Sequence, residues 1–265
     1  MERPVDWAMP RHRLPALAVA LLLMLTGLAS GQDALQPLRD LIDRGYWHSA
    51  AQLTGPALVA QRPDDPEAHF LYATALYLTG NVAAAAERLD LATSLVTGGV
   101  PASHVHLAAL IRADQGDPVG AVRQLQNAFL REPDYRYAMD WGRIAWQAGL
   151  LVEAEAAFRA AAATPEGARE AWPHIARGRL FSAQGRLEEA VGAYLRALDV
   201  YEAHDPGGPR LPGPGYVEAW YRLGEAYEAQ GRLREAEAAY RAARSVDPNH
   251  GPSVQAVDRL ARRGE

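Results

Sequence analysis

The chain has 265 residues, a formal net charge of −5 and no cysteine, which excludes a disulfide scaffold, a thiolate metal site, an iron–sulfur cluster and a cysteine nucleophile. All 27 basic residues are arginine, so phosphate-loop, Schiff-base and kinase-type lysine chemistry is excluded too. The acidic balance argues against a nucleic-acid partner, which requires a basic stripe.

Residues 1–31 come first. Arg11 and Arg13 precede an apolar run from Leu14 to Ala29, which closes on Ala29-Ser30-Gly31. Basic, apolar, then small is the layout of a secretory signal peptide, cut before Gln32 or after Ala29. The run is shorter than the ~20 residues of a membrane span, so removal is favoured over an uncleaved N-terminal membrane anchor, and both readings stay open. Either one places the remainder outside the cytoplasm, in a bacterial periplasm or cell envelope or secreted. Membrane contact, if any, runs through this segment.

Residues 32–204 read as five helix pairs. Gly45, Gly80, Gly116, Gly149, Gly185 and Gly231 recur at intervals of 33 to 36 residues and then 46, each followed five residues later by alanine (Ala50, Ala85, Ala121, Ala154, Ala190, Ala236). Each glycine ends one helical apolar pattern and opens another. A period near 34 of this kind predicts a solenoid, in which every repeat buries its apolar face against its neighbours. The first repeat, with Leu41, Gly45, Ala50 and Ala57, is the weakest because Thr54 occupies an aromatic position. The second carries Tyr72-Ala73, Gly80, Ala85 and Leu89, and the third Ala109, Gly116, Ala121 and Leu125. The fourth has Trp141-Gly142, Gly149, Ala154 and Phe158, and the fifth Gly178, Phe181, Gly185, Ala190 and Tyr194.

Residues 205–216 interrupt the period. Eight of the eleven residues from Asp205 to Gly215 are glycine or proline, which predicts an irregular loop. It is either a tolerated surface insertion or a rim loop that sets the last pair against a partner. The sixth repeat, 217–250, contains Trp220, Leu223-Gly224, Tyr227, Gly231, Ala236, Tyr240, Ala243 and Pro248. After it, 251–265 reads as a cap helix with Val254, Val257 and Leu260 inward and Arg259, Arg262 and Arg263 outward.

The sixth repeat closely resembles the tetratricopeptide repeat family, with Tyr240 where phenylalanine is commoner, and the resemblance spans roughly residues 33–263. It implies an all-α fold, a right-handed superhelical solenoid of about six helix-turn-helix repeats with a C-terminal cap helix. It implies a non-catalytic protein–protein interaction scaffold that binds a protein or peptide on its concave face and needs no cofactor. In such arrays the first helix of each pair lines that face. Carried over by phase, the lining is Phe70 and Tyr77 in the second repeat, His106 and Leu110 in the third, and Arg136, Met139, Arg143 and Trp146 in the fourth. The fifth gives Trp172, Ile175 and Arg179, and the sixth gives Tyr221 and Glu225. Aromatics and arginine dominate binding hot spots, so Arg143, Trp146, Trp172 and Arg179 form the central expectation. The lysine–asparagine carboxylate clamp of some family members is not carried over, because the chain has no lysine; arginine can hold carboxylates bidentately.

Catalytic patterns are missing from the sequence. His104 and His106 fall two apart in a predicted helix, where they do not share a face, and His69 and His174 fall at packing positions. Asp64-Asp65 and Glu188-Glu189 open helices, where carboxylates complement the helix dipole. No enzyme activity, metal or cofactor is therefore expected. The leading expectation is an adaptor in the envelope or secreted space; the alternative is a structural envelope-assembly component acting by self-association or docking.

Overall fold

The computed structural model describes residues 33–204 and 214–263, so the leader and residues 205–213 of the insertion lie outside the described residues. Every regular element among them is a helix. The chain divides into two compact units, Met1–Ile111 and Arg112–Glu265, with the division inside one helix.

The first unit begins with α1 (Gln36–Asp43) and α2 (residues 47–61), then α3 (Pro66–Leu78), α4 (Val82–Leu95) and most of α5 (Ala102–Asp114). The second holds α6 (Pro118–Arg131), α7 (Tyr135–Gln147), α8 (Leu151–Ala163), α9 (Trp172–Ala183), α10 (Leu187–His204), α11 (Pro214–Ala229), α12 (Leu233–Val246) and α13 (Gly251–Arg263). Odd-numbered helices up to α11 are the first members of pairs, and α13 closes the array on α12.

All six turns within pairs are built alike. Each turn glycine has φ between 72° and 94°, a conformation costly for any residue with a Cβ. At Gly80, its N–H donates to the Tyr77 carbonyl at 2.9 Å and the Asn81 N–H to the Leu76 carbonyl at 2.9 Å. The same two bonds recur at Gly45, Gly116, Gly149, Gly185 and Gly231. They satisfy carbonyls that the end of the first helix leaves without partners, and they aim the chain back along it.

Small residues then let the paired helices close. Gly178 stands where an added Cβ would meet the Tyr194 ring at 2.5 Å, and Gly224 where it would meet the Tyr240 ring at 2.6 Å; Gly142 faces Phe158 in the same way. In the second repeat the corresponding residues are Ala73 and Leu89, both buried. A slightly larger residue on one helix thus accompanies a smaller one on the other, which keeps interior volume constant. The first repeat breaks this pairing with Leu38 and Thr54, and there α2 contains a π-helical turn, Ala50–Thr54. Just after it, Gly55 lies against the Tyr72 ring of α3.

Two helices are longer than their counterparts. α10 has 18 residues, against 13 or 14 in α4, α6, α8 and α12. α11 has 16, against 12 or 13 in α3, α5, α7 and α9. α11 starts at Pro214, inside the segment expected as loop. Proline suits the first helical turn, where an N–H has no acceptor to lose.

Candidate binding surface

In the second unit, α7, α9 and α11 are the first helices of three pairs, and their outward positions contain the arginine–tryptophan group. Trp146, half-buried near the end of α7, lies under the Arg179 guanidinium of α9, 5.7 Å from the ring centroid. Among the described residues Arg179 has no carboxylate partner. Arg143, one turn before Trp146, is held along its own helix by Asp140 at 2.9 Å and by Gln147 at 3.5 Å. The pair and Arg143 form a partly exposed, cationic and aromatic surface.

The remaining expected residues divide differently. Arg136 is 71% exposed and ion-pairs with the helix-capping Asp134 at 3.0 Å, so it belongs to the start of α7. Trp172 packs beside Gly215, where its ring edge would stand 3.1 Å from an added Cβ. Ile175 is 1% exposed in the core of the unit, so phase alone misplaced it; it packs among helices rather than lining a surface. Leu110 is buried as well, so it too packs inside the fold instead of lining a surface. Met139 is half-buried. Tyr221 sits in an aromatic group at the C-terminal end, 5.6 Å from Tyr240 and 5.2 Å from His250 between ring centroids, with Arg222 over its face. Glu225 is bound by Arg222 at 2.8 Å.

In the first unit, Phe70 stacks on His104 with ring centroids 4.5 Å apart and nearly parallel planes. Tyr77 and His106 are half-buried, and both make further interactions.

The histidines are packing groups. His104 is 2% exposed, lies 3.5 Å from the Thr93 hydroxyl, and is pushed below its ordinary pKa by burial. His69 uses Nε2 on the Pro63 carbonyl at 2.8 Å. His174 is lowered by burial and then by Arg177 and Arg196; its Nδ1 and the Arg177 Nε are buried without hydrogen bonds. Among the described residues no group of histidine and acid side chains could hold a metal.

Six glycine-locked hairpins, with ring-into-glycine contacts in the last three pairs, decide the classification. The tetratricopeptide repeat model matches residues 38–98, 106–168 and 175–250. The chain belongs to the tetratricopeptide repeat family. Its repeats therefore form a protein-interaction scaffold, of a family whose arrays generally act without catalysis on protein or peptide partners. A search of curated protein sequences returns no match.

Solved structures agree in fold. YrrB, described as a tetratricopeptide repeat protein with an unusual peptide-binding site, is 16% identical, with a TM-score of 0.55 over 76% of this chain and 96% of its own. The APC/C Cut9–Hcn1 hetero-tetramer contains a chain 14% identical, with a TM-score of 0.58 over 94% of this chain and 47% of that one. A MamA RS-1 double mutant is 14% identical, with a TM-score of 0.55 over 70% and 96%. At these identities the likeness speaks for the fold alone.

Proposed function

We propose that this chain is an exported, non-catalytic adaptor that holds a protein segment on the first-helix face of its second unit. The observation that carries the reading is Arg179 lying over Trp146 with no carboxylate partner among the described residues. A half-buried indole offers apolar area, and a cation stacked on it supplies directional donors, the combination that concentrates binding energy. Arg143 adds a second guanidinium one turn away. In the first unit Phe70, Tyr77 and His106 would offer a lining of their own, and Arg136, Trp172 and Tyr221 would flank the arginine–tryptophan surface in the second. Export rests on the basic–apolar–small layout of residues 11–31.

Affinity capture from an envelope extract tests the reading, with the binding of captured proteins then measured against the Arg143→Ala/Arg179→Ala variant. Loss of a captured partner with helicity intact by circular dichroism is expected. Undiminished capture by the variant retires the surface.

A second reading, self-association, has its own support. Leu130 on α6 is 73% exposed and Val152 on α8 is 79% exposed, two apolar side chains on second helices that a second copy of the chain could cover. Sedimentation that shifts with concentration in the absence of other proteins would favour assembly over adaptor function.

A further inference from the structure

The edge where α10 and α11 carry their extra residues forms a second grouping, distinct from the Trp146 face. Its base is a pinned turn between α8 and α9. The buried Thr164 hydroxyl donates to the Ala161 carbonyl at 2.8 Å and accepts from the Gly167 N–H at 2.9 Å. These bonds fix the short 3-10 turn Gly167–Arg169, which packs on α10. Gly167 is pressed against the Ala161 carbonyl with no room for a Cβ. Glu166 and Glu170 are thereby held on either side of a rigid turn. Glu170 is half-buried and Glu166 exposed; among the described residues neither carboxylate makes an ion pair or accepts a hydrogen bond, though the Arg136 guanidinium feels the Glu166 charge.

Aromatic rings gather where this turn runs into α9. Tyr201, in the extension of α10, meets Tyr216 edge-on at 5.3 Å between centroids. The Tyr201 hydroxyl lies against Gly215, beside the edge of Trp172. Tyr135, Trp172, Tyr201 and Tyr216 are all partly exposed. The charges are felt across the group: burial and then Glu170 push the Tyr201 hydroxyl up to about 12. Burial, then Glu170 and Glu166, raise Tyr135 as well.

We propose that Glu166 and Glu170, with the rings of Tyr135, Trp172, Tyr201 and Tyr216, form a docking site for an arginine side chain of a partner polypeptide. Charge complementarity selects a cation, since a half-buried carboxylate without a donor is costly and an incoming donor relieves that cost. The rings select its shape. A guanidinium stacks flat on an aromatic face while donating two bonds to one carboxylate, whereas an ammonium is compact and more strongly hydrated. The site lies on the helix extensions beside the insertion and does not depend on the Trp146 face.

Backbone NMR of the chain during titration with N-acetyl-arginine amide tests the proposal. Resonances of residues 166–172, 201, 215 and 216 are expected to shift and saturate at millimolar concentration, while N-acetyl-citrulline amide, equal in shape but uncharged, leaves them in place. Glu166→Gln/Glu170→Gln should weaken the response about tenfold or more, the scale of one charge-assisted hydrogen bond. Arg143→Ala/Arg179→Ala should not change it, which separates this site from the adaptor face. An equal response to citrulline, shifts confined to other residues, or no response overturns the proposal. A response that appears only after Arg210→Gln also overturns it, by giving the site to the chain's own arginine.

Discussion

Gly142 and Phe158 show how single residues set the spacing of a helix pair. A Cβ at Gly142 would overlap the Phe158 ring, and overpacking of this kind costs about 1–3 kcal/mol, partly offset by the ~1 kcal/mol that alanine gains over glycine in a helix. Gly142→Ala should therefore lower stability by about 1 kcal/mol in denaturant unfolding. Combining it with Phe158→Leu reproduces the Ala73 and Leu89 arrangement of the second repeat, and the pair should cost less than the sum of the single changes. Strict additivity would mean that the ring and the glycine do not constrain each other. The small and aromatic positions were legible in the sequence because they keep a fixed distance from the turn glycine, small in five repeats and aromatic in the last three of the six. Ile175 was not, since helical phase gives a direction from the axis and not the neighbour that occupies it. Trp172 likewise finds Gly215, a residue that the repeat pattern does not contain.

At the scale of elements, two ionisable groups report on how helices meet. His104 on α5 is held below its ordinary value of about 6.5 by burial, with Glu67 opposing. Its folded value is therefore lower than its unfolded one. The stability it supports is complete above pH ~6.5 and is lost as pH falls through the lowered value. An NMR titration of the His104 ring should give a midpoint below 6.5; a midpoint at or above it would contradict the packing against Phe70. Glu170 behaves in the opposite sense. Burial and then Glu166 raise its carboxyl above the usual glutamate range, so its contribution is complete below pH ~4.5 and declines as pH rises through the raised value. Glu170→Gln should consequently stabilise the fold more at pH 7 than at pH 4, and equal effects at both would deny the like-charge strain. The turn glycines announced every hairpin in the sequence. The lengthening of α11 was hidden, because proline and glycine at 214 and 215 read as breakers although a helix accepts both in its first turn.

For the whole molecule, stacking makes each end a boundary that must be finished. α13 buries Ala256, Val257 and Leu260 against Ala236 and Tyr240, and its Arg259 reaches back to Glu228 at 2.5 Å, the carboxylate that also accepts from the Tyr240 hydroxyl at 2.9 Å. Leu260→Ala should cost about 2–5 kcal/mol, the usual range for truncating a buried leucine, and loosen the sixth pair before the others, seen as faster amide exchange in α12 and α13. Uniform exchange throughout the chain would indicate one cooperative block instead of an array. Architecture was readable from the period and composition together. The acidic, aromatic edge was not, because its members come from three connections of different length that only folding brings into register.

The uniformity of the hairpin turns has a practical corollary. Each is locked by the same two bonds around one glycine, while among the described residues the joints between pairs range from the short 132–134 to the long 164–171. Extra residues at a joint, for instance between Thr97 and Val100, leave the helices on both sides in phase, so a reporter peptide spliced there should be carried without loss of folding. One residue added after Gly80 would rotate all of α4 by about 100° and turn Ala85 and Leu89 toward water. Length is thus free to vary at the couplings and forbidden to vary at the bends, and it is around a coupling, 205–213 with the helix ends beside it, that this chain stretches its last glycine interval to 46.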